Sequence, residues 1–336
     1  MKTSWRNAGK DRTPIKQTGR GKFPRPSFCN FVDKYAAEFW EELSRRWLAS
    51  YHAAHHELPE VETIARTLAP CLEGRAVAGI TVLNKGTWQG GLAPGAVCAE
   101  GPRPVTGTGR RGKVLLVRLA PPAAPDGVTA LAFHLKMTGR LFVYPAGTEP
   151  GPHTRVVFDL DDGQRLFFDD ARKFGYARAV NPAELAAWPF WQKLGPEPLE
   201  VDEATFVGLF AGRSAAVKAL LLDQTVIAGI GNIYADESLF RAGIRPSAPG
   251  GRLRADKLAA LRRALVEVLE ESIAACGSSI RDYRTARGDA GSFQNAFRVY
   301  GRGGEACVNC GRTLKQDKIA GRTTVYCPHC QSGRKT

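Results

Sequence analysis

The chain has 336 residues, enough for two or three domains, with 43% hydrophobic residues and a net charge of +14. No run of eighteen apolar residues occurs and the N-terminus has no apolar signal core, so neither a membrane-spanning helix nor secretion is expected. An isoelectric point near 9.6 turns the search toward polyanionic partners, nucleic acid first.

Residues 1–28 carry eight Lys and Arg against one acid, Asp11, and Pro14, Pro24 and Pro26 interrupt any helix, so a disordered arm is expected. Over 31–51, Val32, Tyr35, Ala36, Phe39, Leu43 and Trp47 recur at three- and four-residue steps and predict an amphipathic helix. Another helix opens at Leu58. Pro59 suits its first turn, Glu60 and Glu62 suit the positive end of its dipole, and Val61, Ile64, Leu68 and Leu72 form its buried stripe. After Gly74 the pattern becomes strand-like over 77–83, 114–119, 129–134, 140–144, 155–160, 165–168 and 176–180. Short strands at these intervals predict an all-β sandwich or barrel that ends near Asn181. Beyond Pro198 helices are expected over 202–211, 215–222, 233–242 and 255–276. The Gly- and Arg-rich stretch 278–293 reads as a long mobile loop, of the kind that often covers a site.

Within this frame a few stretches could carry chemistry. Residues 223–237 join two helices through Gly229 and Gly231. No strand precedes them, so this Gly-x-Gly is not a dinucleotide fingerprint. A helix-turn-helix fits better, with Asn232 opening the second helix, its free N–H groups facing a phosphate and Lys218 reaching the same backbone. A plain helical hairpin with glycines for close packing fits the same residues. On the loop 169–175, Arg172 and Phe174 pair a hydrogen-bond donor with an apolar wedge, as insertion into a base stack requires. A core Phe at a strand end would look alike. His134 and Met137 close one strand, and Arg110, Arg111 and Lys113 start another as a cationic edge.

The tail holds the most specific spacing. Cys307-x-x-Cys310 and Cys327-x-x-Cys330 are separated by sixteen residues, a four-thiolate pattern that brings four sulfurs into a tetrahedron around Zn2+. Two disulfides or four buried thiols would use the same residues, but the spacing and the missing signal core favour zinc. Between the pairs, 322–326 is β-branched and aromatic, so a zinc-clamped β-hairpin with Arg312, Lys315, Lys318 and Arg322 exposed is expected. Cys29, Cys71, Cys98 and Cys276 are scattered and expected to be reduced, which fits a cytoplasmic protein.

Taken in order, Glu57-Leu-Pro-Glu-Val-Glu-Thr63, Arg111-Gly-Lys113, His134-Leu-Lys-Met-Thr-Gly139, Asp170-Ala-Arg-Lys-Phe-Gly175, Leu194-Gly-Pro-Glu-Pro-Leu199, Gly229-Ile-Gly-Asn-Ile-Tyr-Ala235 and the four-Cys finger resemble the formamidopyrimidine-DNA glycosylases, relatives of endonuclease VIII. The resemblance covers residues 57–331. It implies a multidomain α+β fold: an N-terminal β-sandwich with flanking helices, a helix–two-turns–helix domain and a C-terminal four-Cys zinc-finger β-hairpin. The expected divisions are 1–56 (basic extension), 57–181 (sandwich), 182–292 (helical domain) and 293–336 (finger). It also implies binding of double-stranded DNA with oxidised bases, excision of 8-oxoguanine and formamidopyrimidines by base flipping, strand cleavage by β,δ-elimination, one structural zinc and a monomer in the bacterial cytoplasm, at the nucleoid. Glu57 would be the acid at the sugar or base, and Lys113 would help at the damaged nucleotide. Met137, Arg172 and Phe174 would fill the vacated stack, with Arg172 on the orphaned cytosine; His134 joins this DNA-facing set. Lys218, Asn232 and Arg322 would hold phosphates. The target atoms are hidden in a duplex, so the base must leave the stack and something must replace it.

One position departs from the family pattern. The residue before Glu57 is proline in the family, and its N-terminal secondary amine attacks the sugar C1′. Here it is His56, preceded by 55 residues. A nitrogen inside a chain is an amide, its lone pair delocalised into the carbonyl, and forms no imine. Four arrangements would resolve this: a true start or frameshift near this position, processing that exposes the His56 amine, Lys113 as the nucleophile, or damage binding without cleavage. The abrupt change of composition before Leu58 favours the first.

Overall fold

A computed structural model describes residues 56–279 and 283–332. The arm expected over 1–28 and the helix expected over 31–51 lie outside the described residues.

Helix α1 (Leu58–Leu72) buries Val61, Ile64, Leu68 and Leu72, the predicted stripe. Eight strands follow: β1 (Ala76–Val82), β2 (Arg103–Arg111), β3 (Val114–Leu119), β4 (Ala130–His134), β5 (Gly139–Tyr144), β6 (Thr154–Leu160), β7 (Arg165–Asp170) and β8 (Tyr176–Val180). They hydrogen-bond in the order β5-β7-β6-β1-β2-β3-β4-β8. Only Ala76↔Pro104 and Val77↔Arg103 pair between β1 and β2, a narrow seam at which the sheet folds over on itself. Phe133 of β4 consequently meets Phe158 of β6 and Phe168 of β7 edge-on, at 5.5 and 5.8 Å, although those strands are far apart in the sheet order. The expected sandwich is therefore present.

The sequence reading missed β2, whose alternation is blurred by Gly107 and Gly109. Arg110 and Arg111 consequently end a strand instead of starting one, and Gly112 and Lys113 form the turn into β3. Two short helices were also unread, α2 (Pro182–Ala187) and α3 (Pro189–Gln192). Each opens on proline at a first helical position, and Asn181 caps α2 by accepting the Glu184 N–H.

The second half is built from α4 (Glu203–Gly208), α5 (Val217–Leu222), α6 (Asn232–Arg241) and α7 (Ala255–Ala274) around a separate apolar core. Leu58, at the first turn of α1, is buried in that core and so ties the two halves together. The stretch expected as a mobile loop is packed in part: Tyr283, Thr285 and Ala286 are buried and Ala286 N–H donates to Thr67 Oγ1 of α1 at 3.1 Å, while 287–290 are exposed. The tail forms the hairpin β9 (Lys315–Ile319) and β10 (Arg322–Tyr326), with Ala320 and Gly321 both at positive φ in the two-residue turn.

Candidate active site

Glu57 precedes the first turn of α1, and its placement explains the Gly-Ile-Gly signature. Its Oε1 accepts the Ile233 N–H at 3.2 Å, in the first turn of α6. A Cβ on Gly231 would stand 2.2 Å from the Glu57 Cδ, and one on Gly229, which has φ +83°, would stand 2.7 Å from Leu58 Cδ1. Only glycine lets the two helix starts approach so closely. The positive end of α6 therefore faces a carboxylate of the same chain.

Lys113 stands across the same space. Its Nζ donates to the Ile230 carbonyl at 2.8 Å. The β2–β3 turn that presents it has Gly112 at φ +55°, and Glu197 accepts the Gly112 N–H. Arg110, expected in a cationic strand edge, has a side chain only 8% exposed and clamped between Glu62 at 2.8 Å and Glu197 at 2.5 Å. Glu57, Lys113, Asn232 and Arg322 line one cavity of about 470 Å³ between sandwich, helices and hairpin tip. Burial pushes the Glu57 carboxyl up to about 7 against the opposing pull of Lys113, and burial holds the Lys113 amine below its ordinary value. A carboxyl that holds its proton more tightly and an amine that holds its own less tightly are shifted in the directions that acid catalysis and nucleophilic attack favour.

Behind Glu57 lies a buried network that sequence reasoning did not foresee. Glu60 accepts the Glu57 N–H at 3.1 Å and the Ser278 N–H at 2.8 Å, and the Tyr234 hydroxyl donates to it. Burial raises the Glu60 carboxyl as well. The sequence alone gives Glu60 only a role at the helix dipole. The missed signal was Glu-x-x-Glu, which holds the helix start as a capping box does but lacks the usual Ser or Thr.

The expected base-stack wedge assembles from two loops joined by Asp170. This buried carboxylate accepts Gly175 N–H at 2.6 Å, Arg172 N–H at 3.2 Å and the Thr138 hydroxyl. It thereby brings the Met137 turn against the loop of Arg172 and Phe174. Phe174 is 55% exposed, which excludes the core-Phe alternative, and the Arg172 guanidinium lies 5.0 Å over its ring. Met137 is half-buried.

Three expected positions differ. His134 is buried beside Tyr176 and Phe190, each ring at 5.6 Å, and its Nδ1 accepts the Lys136 N–H at 3.2 Å. It shapes the turn carrying Met137 and has only 6% of its surface exposed. Lys218 has no exposed surface at all: its ammonium is spent on Asp236 at 2.7 Å, Thr324 Oγ1 at 2.8 Å and the Thr323 carbonyl at 3.1 Å. The expected phosphate contact is excluded here because no donor is left. His56 is buried too, and its backbone N–H donates to the Lys136 carbonyl at 2.9 Å. Asn232 and Arg322 do reach the cavity, although Asn232 Nδ2 also donates to the Thr323 carbonyl at 3.0 Å.

In the tail the four Sγ atoms of Cys307, Cys310, Cys327 and Cys330 lie within 4.8 Å of one another. Cys307–Cys330 is 3.9 Å and Cys310–Cys327 is 3.5 Å. Sulfurs at about 2.3 Å from a tetrahedral zinc stand about 3.8 Å apart, whereas a disulfide is about 2.05 Å long. The four cysteines hold one structural zinc ion, whose binding stabilises a module with little core of its own.

Comparison with known proteins agrees with this architecture. Residues 56–177 match the formamidopyrimidine-DNA glycosylase N-terminal domain, 194–284 the H2TH domain of the same proteins, and 304–333 the zinc finger found in FPG and IleRS. The formamidopyrimidine-DNA glycosylase of Nitratidesulfovibrio vulgaris is 47% identical, with 82% of this chain and 99% of that protein aligned. The one from Desulfitobacterium hafniense is 44% identical over the same shares. The crystal structure of the MutM (FPG) protein from Thermus thermophilus superposes with a TM-score of 0.72 at 38% identity, covering 83% of this chain and all of that one. A Lactococcus lactis FPG mutant bound to Fapy-dG containing DNA gives 0.73 at 31% identity, covering 82% and 99%. Sandwich, H2TH helices and four-Cys hairpin around one acid–amine cavity thus define a known class. The chain belongs to the formamidopyrimidine-DNA glycosylase family.

Proposed function

We propose that the protein is a base-excision-repair DNA glycosylase and abasic-site lyase that removes oxidised purines, 8-oxoguanine and formamidopyrimidines, from duplex DNA. The observation that carries this reading is the Glu57–Lys113 cavity, flanked by Arg322, in a chain of this family. The damaged nucleotide leaves the stack and enters the cavity, while Met137, Arg172 and Phe174 fill the gap, Arg172 facing the orphaned cytosine. Glu57 gives its proton as the C1′–N bond breaks and the base leaves with the bonding pair. Asn232 and Arg322 hold the phosphates beside the lesion. The protein acts as a monomer in the cytoplasm.

In the chain as written the amine available to C1′ is Lys113, because the His56 nitrogen is an amide donating to Lys136; a chain that starts at this position would offer its α-amine instead. The amine lone pair forms the N–C1′ bond, the sugar ring opens with O4′ taking a proton, and an iminium results. That iminium acidifies the C2′ hydrogen, whose loss expels the 3′-phosphate.

Borohydride trapping of the full chain on an 8-oxoguanine duplex tests this, with free base measured in parallel. Base release together with an adduct on the Lys113 peptide is expected. An adduct on a His56 α-amine freed by processing would reassign the nucleophile and leave the enzyme intact. Tight binding with neither adduct nor base release would overturn the reading.

A further inference from the structure

Lys218 is the largest departure from expectation, and its surroundings give it another task. We propose that Lys218 and Asp236 are a positioning pair that seats strand β10, so that Arg322 at the hairpin tip stands in the cavity with Glu57 and Lys113. The proposal rests on the glycosylase reading for its functional consequence, and on the geometry alone for the seating.

The hairpin is clamped by zinc at one end only. Cys327 follows β10 directly, and Arg322 lies five residues before it, about 17 Å along an extended strand. Strand β9 pairs with β10 along its whole length, but Lys315, Gln316, Asp317 and Lys318 are exposed, so β9 does not tether the tip to the rest of the molecule. What fixes the far half of β10 comes from the helical domain. Lys218 Nζ donates to the Thr323 carbonyl and to Thr324 Oγ1, and Asn232 Nδ2 donates to the same carbonyl. Asp236 accepts the Val325 N–H at 3.1 Å through one carboxylate oxygen and pairs with Lys218 at 2.7 Å through the other. Three consecutive residues after Arg322 are thus tied to one ion pair at 0% and 1% exposure. A buried ion pair is a weak source of net stability, but its geometry is strict, because moving either partner leaves a charge without solvent. That makes it suited to fixing a register. Helix α6, which carries Asp236, also supplies the Ile233 N–H to Glu57, so one rigid element sets the carboxyl and the arginine together.

The test uses the full-length, zinc-loaded protein. Lys218→Met is compared with the double variant Lys218→Met/Asp236→Leu, which leaves no lone buried charge and so keeps a folded control, and with Thr324→Val as the mildest change. The expected result is an unchanged zinc content with faster hydrogen exchange over 322–326. Turnover on an 8-oxoguanine duplex should fall about 100-fold, the scale of a substrate misplaced by about 1 Å. In an Arg322→Ala background the Lys218 substitution should cost nothing further, because the group it positions is gone. Unchanged exchange over 322–326, or a loss that adds fully to that of Arg322→Ala, would overturn the proposal. So would a further drop of about one in the salt slope of DNA affinity when Lys218→Met is added to the Arg322→Ala background, which would mark Lys218 as a phosphate contact in its own right. If the wild type itself neither excises nor traps, the glycosylase reading fails, while the exchange measurement still decides the seating.

Discussion

In the sandwich, Phe133, Phe158 and Phe168 meet ring to ring among Val, Leu and Ile, and the two halves of the sheet are joined by burial. Around α6 the joints are polar. Its first turn holds Glu57, Tyr234 holds Glu60, Asp236 holds Lys218 and Val325, and Glu237 accepts the N–H groups of Arg298, Val299 and Tyr300. Apolar packing is tolerant of small shifts and contributes most of the free energy. Buried hydrogen bonds and ion pairs contribute less net stability but punish displacement. The catalytic groups are carried by the second kind of joint, where a displacement of about 1 Å is costly.

Perturbing each region should show this division. The largest effect is expected from zinc removal: structural zinc sites bind with about 10–16 kcal/mol, so Cys310→Ser or a chelator should unfold the tail and abolish turnover. Metal analysis with hydrogen exchange would show the tail lost and the sandwich protected; loss of protection throughout would erase the contrast between the regions. Phe133→Ala should cost the sandwich about 3–5 kcal/mol in denaturant unfolding, with zinc retained and the activity of the folded fraction near wild type. Gly231→Ala should do the reverse. Its Cβ has no room beside the Glu57 carboxyl, so base release should fall about 100-fold or more while the unfolding midpoint moves little.

Two smaller effects sharpen the picture. Burial raises the Glu57 carboxyl from 4.5 to about 7, so the folded state binds a proton that the unfolded state has released in that range. The associated stability is present below about pH 4.5 and is lost as pH rises through about 7, and base release should decline over the upper part of the same window. Denaturation at pH 5 and 7.5 should show this slope in the wild type and a smaller one in Glu57→Gln, where the buried Glu60 carboxyl still contributes. Arg172→Ala should leave stability within about 0.5 kcal/mol, because the residue is exposed. It should weaken discrimination of the base opposite the lesion by about 1–3 kcal/mol. Equal excision opposite cytosine and adenine by wild type and variant would remove that role.

Much of this was legible along the chain because the signals are local. Two Cys-x-x-Cys pairs announce a metal whatever surrounds them, and the stripe of α1 and the alternation of most strands follow from side-chain period. Strand β2 escaped because its glycines leave little alternation to read. Local pattern did not distinguish an exposed lysine from a buried one: Lys218 and Lys113 look alike in sequence, yet one is locked to Asp236 and the other faces the cavity. The same holds for Phe174, exposed at 55%, and His134, buried in an aromatic cluster. Glycine at 231 could be read as a turn, but its reason, the carboxyl of a residue 174 positions earlier, exists only once α1 and α6 meet. Residue type and spacing settled which elements form and where a metal binds, since those depend on near neighbours. Which polar groups face the cavity and which serve as ties was decided by the tertiary structure, because burial and hydrogen-bond partners are properties of the assembled whole.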